Sequence, residues 1–548
     1  KNTTPAYTKA DNRLETFQKR AKLQEKSLVS QVEFRNVGPT VMSGRVVDLE
    51  VNPEDPTIFY VAYASGGLWK TEDNGISFFP MFDKEASMTI GDIAVDWKNK
   101  TIWVGTGENN SSRSSYAGTG VYKSQDEGKT WQHLGLAETQ HTGRIILHPT
   151  NPNTVWVATL GHLYSKNEDR GLYKTTDGGK TWKKTLFIND NTGIIDLTID
   201  SQNPDILYAA AWERARRAWK FEGSGKGTGI YKSTDGGENW NLITGANSGF
   251  PDTKGGGRIG IEVAPSNPQM IYAVLDNQDR RAKESKNEDK DQLTKDQLRA
   301  MSQSAFLKLS EDKINAFLDD KGFPKEYNAK TILTQVKEGK LKANDLVTYL
   351  EDANSLLFDT PVKGLECYLS EDRGKTWNKT HDKSIEDVVY SYGYYFGQIR
   401  VDAQNPNKIY SMGVPVIVSE DKGKTWNYIN EPNVHVDHYA LWINPKKSGH
   451  LILGNDGGIH ISYDDGKNWQ KANSPSVGQF YTVNVDMVKP YNIYGGLQDN
   501  GVWVGSSDYE YNRGWYQEGQ YPYKRILGGD GMQIAVDTRD NSTIYTGY

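Results

Sequence analysis

Residues Thr175 to Trp182 read TTDGGKTW, and the string returns six more times with small changes. The other copies are TEDNGISF (Thr71 to Phe78), SQDEGKTW (Ser124 to Trp131), STDGGENW (Ser233 to Trp240), SEDRGKTW (Ser370 to Trp377), SEDKGKTW (Ser419 to Trp426) and SYDDGKNW (Ser462 to Trp469). Their aspartates, Asp73, Asp126, Asp177, Asp235, Asp372, Asp421 and Asp464, lie 43 to 58 residues apart except for one gap of 137. A string repeated at this period marks one supersecondary unit per copy, and the wide gap marks an insertion.

Each copy follows a short alternating run such as GLYK or GIYK. Upstream of most copies stands a strand–turn–strand signal such as LEVNPEDPTIFYVA, IILHPTNPNTVWVA or IRVDAQNPNKIYSM. β-Branched and aromatic runs bounded by Pro, Asn, Asp and Gly read as strands joined by tight turns. Four such strands per unit predict an all-β fold, a β-propeller of four-stranded blades. The octapeptide reads as a reinforced turn between third and fourth strands. Ser, Thr and Asp side chains bond nearby amides, Gly supplies positive φ, and Trp fills the space beside the next hairpin. The seven aspartates are therefore expected to be structural, because a catalytic group is needed once and a turn in every repeat.

Inner strands are expected to open near Gly44, Gly91, Gly143, Gly193, Gly257, Gly397, His438, Tyr481 and Gly531. The chain then divides into a charged helical extension (1–30), a first propeller (31–473) and the start of a second, incomplete one (474–548). Two strands cannot complete a blade, so the natural protein is expected to continue past Tyr548. Residues 277–359 differ from their surroundings, with no Trp, two Gly, and 15 Lys/Arg against 16 Asp/Glu. Ile314, Phe317 and Leu318, then Ile332 and Val336, then Leu346, Val347 and Leu350 keep helical spacing, which predicts a small α-helical insertion within blade five. Its charges read as a solvated face, with partner docking as the other reading.

The 548 residues carry Lys+Arg 64 and Asp+Glu 70, a net charge of −6, so the basic footprint of a nucleic-acid binder is missing. No apolar run approaches the ~18 residues of a membrane helix. A single cysteine, Cys367, excludes an internal disulfide or a cysteine-rich zinc site. The chain starts at Lys1 with no signal peptide in the sequence, so an export signal has been removed or was not included.

The string S/T-x-D-x-G-x-T-W resembles the Asp-box, or bacterial neuraminidase (BNR) repeat, shared by sialidases, endo-xyloglucanases and sortilin-type receptors. With VMSGRVVDLEVNP, ILGNDGGIHIS, YGGLQDNGVW and GGDGMQIAVD, the chain is similar to secreted bacterial sortilin-like proteins labelled glycosyl hydrolases, over 31–276 and 360–548. The resemblance implies either a seven-bladed first ring followed by a second, as in xyloglucanases, or a single ten-bladed ring, as in sortilin. It also implies an extracellular, cell-surface or periplasmic location, and membership of a cell-envelope complex is compatible with it. Xyloglucanases place a catalytic aspartate in a first-blade T-D-x-G-G segment, where this chain has Ala64-Ser65-Gly66-Gly67. Sialidases use an arginine triad and an R-I-P motif. Arg45, Arg144 and Arg258 open strands in alternate blades, but no R-I-P string occurs.

In a four-stranded meander the octapeptide turns lie on one face and the loops between second and third strands on the other. The long loops, Gly107 to Gly120, Leu160 to Arg170 and Trp212 to Gly227, all belong to the second set, so that face is expected to carry the function. Trp212 and Trp219 beside Arg214 and Arg216 offer aromatic platforms and cationic donors suited to a protein, peptide or glycan ligand. A second group joins His435, Asp437, His438, Asp456, Gln498, Asp499 and Asn500. No cofactor is expected, although two histidines beside carboxylates are also donors that a divalent metal accepts. Glycoside hydrolysis needs two carboxyls, about 5–5.5 Å apart for retention or roughly 6.5–9.5 Å for inversion. The candidates are Glu108, Glu213, Asp456, Asp499 and Asp530. Ligand binding is the leading reading and hydrolysis in a cleft between propellers the alternative.

Overall fold

The computed structural model describes residues 7–547 apart from 33, 36, 39–42, 113, 114, 218, 282–292, 351–361, 431, 432, 474, 476 and 510–522. Both ends of the expected insertion, the middle of the Gly107–Gly120 loop and the close of GVWVGSSDYEYN therefore lie partly outside the described residues.

Eight four-stranded antiparallel sheets follow one another along the chain, spanning 46–80, 90–133, 142–186, 192–242, 256–379, 398–428, 438–471 and 480–527, with a strand pair over 533–547. The inner strand of each of the first six sheets packs on that of the next, and Val46–Val51 of the first packs on His438–Ile443 of the seventh. Val46, Phe59 and Val61 share one apolar cluster with Ala440, Ile452 and Ile461, and with hydrogen bonds such as Asn473 amide to Gly75 carbonyl this closes a ring of seven sheets. The eighth sheet and the strand pair form a further two-sheet packing around Tyr494, Val502 and Ile534. The chain is a multi-blade β-propeller.

Most inner strands begin with a bulge, as between Val46 and Asp48, Ile90 and Asp92, and Ile194 and Asp196. An extra residue there sharpens the strand twist. The carboxylate just past it reaches the neighbouring sheet: Asp48 accepts from the Ile93 amide, Asp92 from Ile145 and Asp196 from Ile261. Adjacent inner strands, which share no ladder, are joined by these bonds. Gly91 shows how close they come. A Cβ there would sit 2.2 Å from the Thr142 carbonyl oxygen.

The octapeptide turns are built alike. Asp177 accepts from Thr175 Oγ1 (2.8 Å), the Thr181 amide (3.0 Å) and Thr181 Oγ1 (2.6 Å), while Thr175 Oγ1 accepts from the Gly179 amide (3.0 Å). The Trp182 indole donates to the Leu134 carbonyl of the preceding sheet, and Trp131 and Trp469 do the same to Met81 and Ile429. Cys367 is buried.

A separate compact unit comprises residues 280–363 and 390–392. It begins later than the 277 expected, because the second strand of sheet five runs on to Arg280. Helices Glu311–Asp320, Ala329–Lys337 and Ala343–Leu350 bury Ile314, Phe317, Leu318, Ile332, Val336, Leu346 and Val347 against each other. Ser310 and Asn328 cap the first two by accepting from the Lys313 and Thr331 amides. The helix Ala10–Glu25 buries only Ala10; Arg13 donates to the Gly118 and Ala137 carbonyls.

Candidate functional site

Inner strands start on the loop-bearing face, and there the Gly107–Gly120 loop runs inward across the ring. Glu108, Asn109, Asn110, Ser111 and Ser112 are all buried. Glu108 Oε1 accepts from Arg45 Nη1 at 2.7 Å, and Asn110 Oδ1 accepts from Arg258 Nη1 at 2.6 Å. Asn109 donates to the Gly91 and Gly143 carbonyls, and Ser111 accepts from Arg214. His141 Nδ1 donates to the Glu108 carbonyl at 2.7 Å; burial and nearby Arg214 push it down to about 3, leaving a neutral ring. One loop of the second sheet thus bonds to residues of sheets one, three, four and five. It plugs the axis, which its length had suggested was a ligand loop.

Arg45 is the centre of this plug. Besides Glu108 it holds Asp456 (Nε to Oδ1 3.2 Å) and lies over the Tyr395 and Tyr439 rings, at 5.1 and 5.3 Å. Both carboxylates are therefore committed to one buried guanidinium. Glu213 accepts from the Gly227 amide at 2.7 Å and serves its own loop. These bonds give Glu108 and Glu213 structural partners within the ring.

Trp212 is likewise not an open platform: it is 0% exposed, donates to the Gly223 carbonyl, and has the guanidinium groups of Arg214 and Arg258 over its ring at 5.3 and 5.9 Å. Arg214 is buried, and desolvation, with Arg170 and Arg258 nearby, pulls its pKa well down. Arg216 covers the Phe221 ring. Trp219, by contrast, is 84% exposed. Trp212 lies inside the strand Leu207–Glu213, whereas Trp219 lies in the connection between the short paired strands Ala215–Arg216 and Phe221–Glu222.

The second group does converge, where the seventh sheet meets the eighth. Asn500 Nδ2 donates to the Asp456 carbonyl (3.1 Å) and reaches the Ser43 carbonyl (3.4 Å), joining the turn of sheet eight to sheets seven and one. Asp499 and Asp437 are half-buried, each with a left-handed backbone (φ 60° and 66°). The Asp499 amide donates to Asp530 at 2.9 Å. Burial first, then Asp456, pushes Asp499 up to about 7, and burial with Asp456 and Asp499 holds Asp437 well above the carboxylate range. Tyr481, 44% exposed, feels Asp530 and Asp499 and has its hydroxyl pushed up to about 12, chiefly by burial. Gln498 is half-buried with Oε1 unpaired.

His435 Nδ1 bonds the Val436 carbonyl, whereas His438 is fully buried with neither ring nitrogen paired, and burial pushes it down to about 3. Among the described residues no three His, Cys, Asp or Glu side chains are placed to hold a metal ion. Reading sequence alone missed Arg45, Tyr395 and Tyr439 as site residues; Arg45 was visible only as a strand opener.

Residues 119–323 match the sortilin (neurotensin receptor 3) family model, Sortilin-Vps10. The chain is also 28% identical over 240 residues to xyloglucanase Xgh74A of Acetivibrio thermocellus, covering 36% of this chain and 25% of that protein. A xyloglucanase of Hypocrea jecorina is 29% identical over 198 residues, covering 34% and 20%. The chain thus spans about a quarter of the length of these curated relatives. In fold it is similar to the GH74 xyloglucanase of Xanthomonas campestris, with TM-score 0.54, 13% identity, and 93% of this chain on 72% of that one. Among the described residues no helix is long and apolar enough to cross a membrane.

Proposed function

We propose that the sortilin-like propeller acts outside the cell or at its surface as a binding module whose loop-bearing face takes a glycan, with peptide and protein as the other ligand classes. The carrying observation is the seam of sheets seven and eight. There the partly exposed Tyr481 ring stands beside the half-buried Asp499 and Asp530. An aromatic face with adjacent carboxylate acceptors matches a sugar ring, which has an apolar face and a rim of hydroxyl donors. The names of the curated xyloglucanase relatives support glycan as the first class to test.

A second reading rests on Asp499. A carboxyl pushed up to about 7 keeps its proton near neutrality, as a general acid requires. Calorimetric titration with xyloglucan and other soluble polysaccharides, alongside reducing-end release, tests both. Tyr481→Ala and Asp499→Asn should each weaken binding about tenfold or more. Reducing-end release abolished by Asp499→Asn would favour the hydrolase, and a peptide or protein bound elsewhere with no glycan binding would overturn the seam as the site.

A further inference from the structure

The ring axis has a second mouth, on the face opposite the plug. Where inner strands end, beside the turns at Pro265 and Pro445, a cavity of about 370 Å³ opens. By the meander topology this is the face of the octapeptide turns. Asp48, Glu50, Arg144, Glu262, Arg400 and Trp442 line it.

The charges there do not balance. Arg144 is consumed by Asp92 (2.8 Å) and Asp196 (3.0 Å), with Asp48 at 3.8 Å. Arg400 turns its Nη1 and Nη2 to the Ile399 carbonyl and Gln398 Oε1, and approaches Glu262 only to 3.8 Å. Glu262 Oε2 is buried and has no hydrogen-bond partner. Glu50, next along the wall, feels Asp48, Arg144 and Arg400 and makes no ion pair among the described residues. Three acids, Asp48, Glu50 and Glu262, thus line the cavity with two guanidinium groups, one of which Asp92 and Asp196 already occupy; Asp196 also acts on Arg258 behind them.

We propose that this axial cavity binds an organic cation, a primary ammonium or guanidinium group, between Glu50 and Glu262 with Trp442 along its wall. A cation placed there supplies the missing charge and bonds the orphaned Oε2. The indole adds an aromatic contact that such cations favour. The volume lies within the range of small-ligand sites. Burial pushes Glu50 well up and Glu262 up to about 7, and a cation between them would oppose both shifts. An anion meets repulsion, and among the described residues no three ligands are placed for a metal.

Calorimetric titration of the whole chain with putrescine, agmatine and a lysine-rich peptide tests the proposal. Saturable binding of at least one probe is expected, weakened about tenfold or more in the Glu50→Gln/Glu262→Gln double variant. A free diamine or agmatine binding best points to a small metabolite, and the peptide binding best points to a side chain of a partner protein. No saturable binding of any probe up to about 10 mM, or equal binding by a folded double variant, overturns it. Should the double variant fail to fold, crystals of the unaltered chain soaked in 4-bromobenzylamine decide: the bromine is expected in this cavity, and its absence there refutes the site.

Discussion

Arg45→Met leaves Glu108 and Asp456 buried together without the guanidinium that both now bond, at 2.7 and 3.2 Å. Side-chain exposures of 4%, 2% and 5% for the three groups give water almost no access to the freed charges. Removing one partner of a buried pair costs about 3–5 kcal/mol. The contacts over Tyr395 and Tyr439 add roughly 0.5–1 kcal/mol each. Protonation caps the loss, since raising a carboxyl from about 4 to neutrality costs about 4 kcal/mol at 1.36 kcal/mol per unit. We therefore expect a loss of about 4–6 kcal/mol at pH 7, read by urea unfolding followed through tryptophan fluorescence. The triple variant Arg45→Met/Glu108→Gln/Asp456→Asn, which has no stranded charge, should recover more than half. The deficit should also shrink toward acid: the freed carboxyls have folded pKa values above their unfolded ones, so their penalty applies above about pH 4 and fades as they protonate. A loss below about 1.5 kcal/mol, or no recovery in the triple variant, would refute the view that Arg45 holds the plug.

The octapeptide aspartates predict the opposite acid behaviour. Hydrogen bonds from Thr130 and Ser124 hold Asp126 down to about 2, so its stabilisation is present above about pH 4 and lost as pH falls toward 2; Asp126→Asn should flatten that part of the melting-temperature profile, and an unchanged profile counts against it. Replacing residues 281–361 by a short Gly/Ser linker should leave a soluble, cooperatively unfolding chain, because loop closure depends weakly on length and the helices have a core of their own. Insoluble product would show that the sheets depend on them.

The repeat made the sheets legible because each is a local event: the Asn-Pro turn, the alternating strand and the octapeptide all fall within one period. The inner strands therefore start where the glycines and His438 placed them, and Ile314, Phe317 and Leu318 are buried as their helical spacing implied. The centre of the ring was not legible. Arg45 meets Glu108 across 63 positions and Asp456 across 411, and no local period records such pairs. A long loop also reads the same whether it reaches out to solvent or in to the axis. For that reason Trp212, Glu108 and Asp456 were expected at a ligand surface and are instead buried, while Asp499 is half-buried where the seventh sheet meets the eighth.

Ring closure has a kinetic consequence. Neighbouring sheets meet as soon as each is synthesised, but the first must wait for the seventh, and no strand is shared between them to hold the join. Bringing Arg45 to Asp456 over 411 residues costs roughly 2 kcal/mol more chain entropy than joining successive sheets. The join between the first and seventh sheets is thus the last of the ring's joins to become possible during synthesis. Asn500 fastens it from outside, through the Ser43 and Asp456 carbonyls. A ligand seated at Asp499 would tighten the same clasp, so occupancy should slow the unfolding of the whole ring.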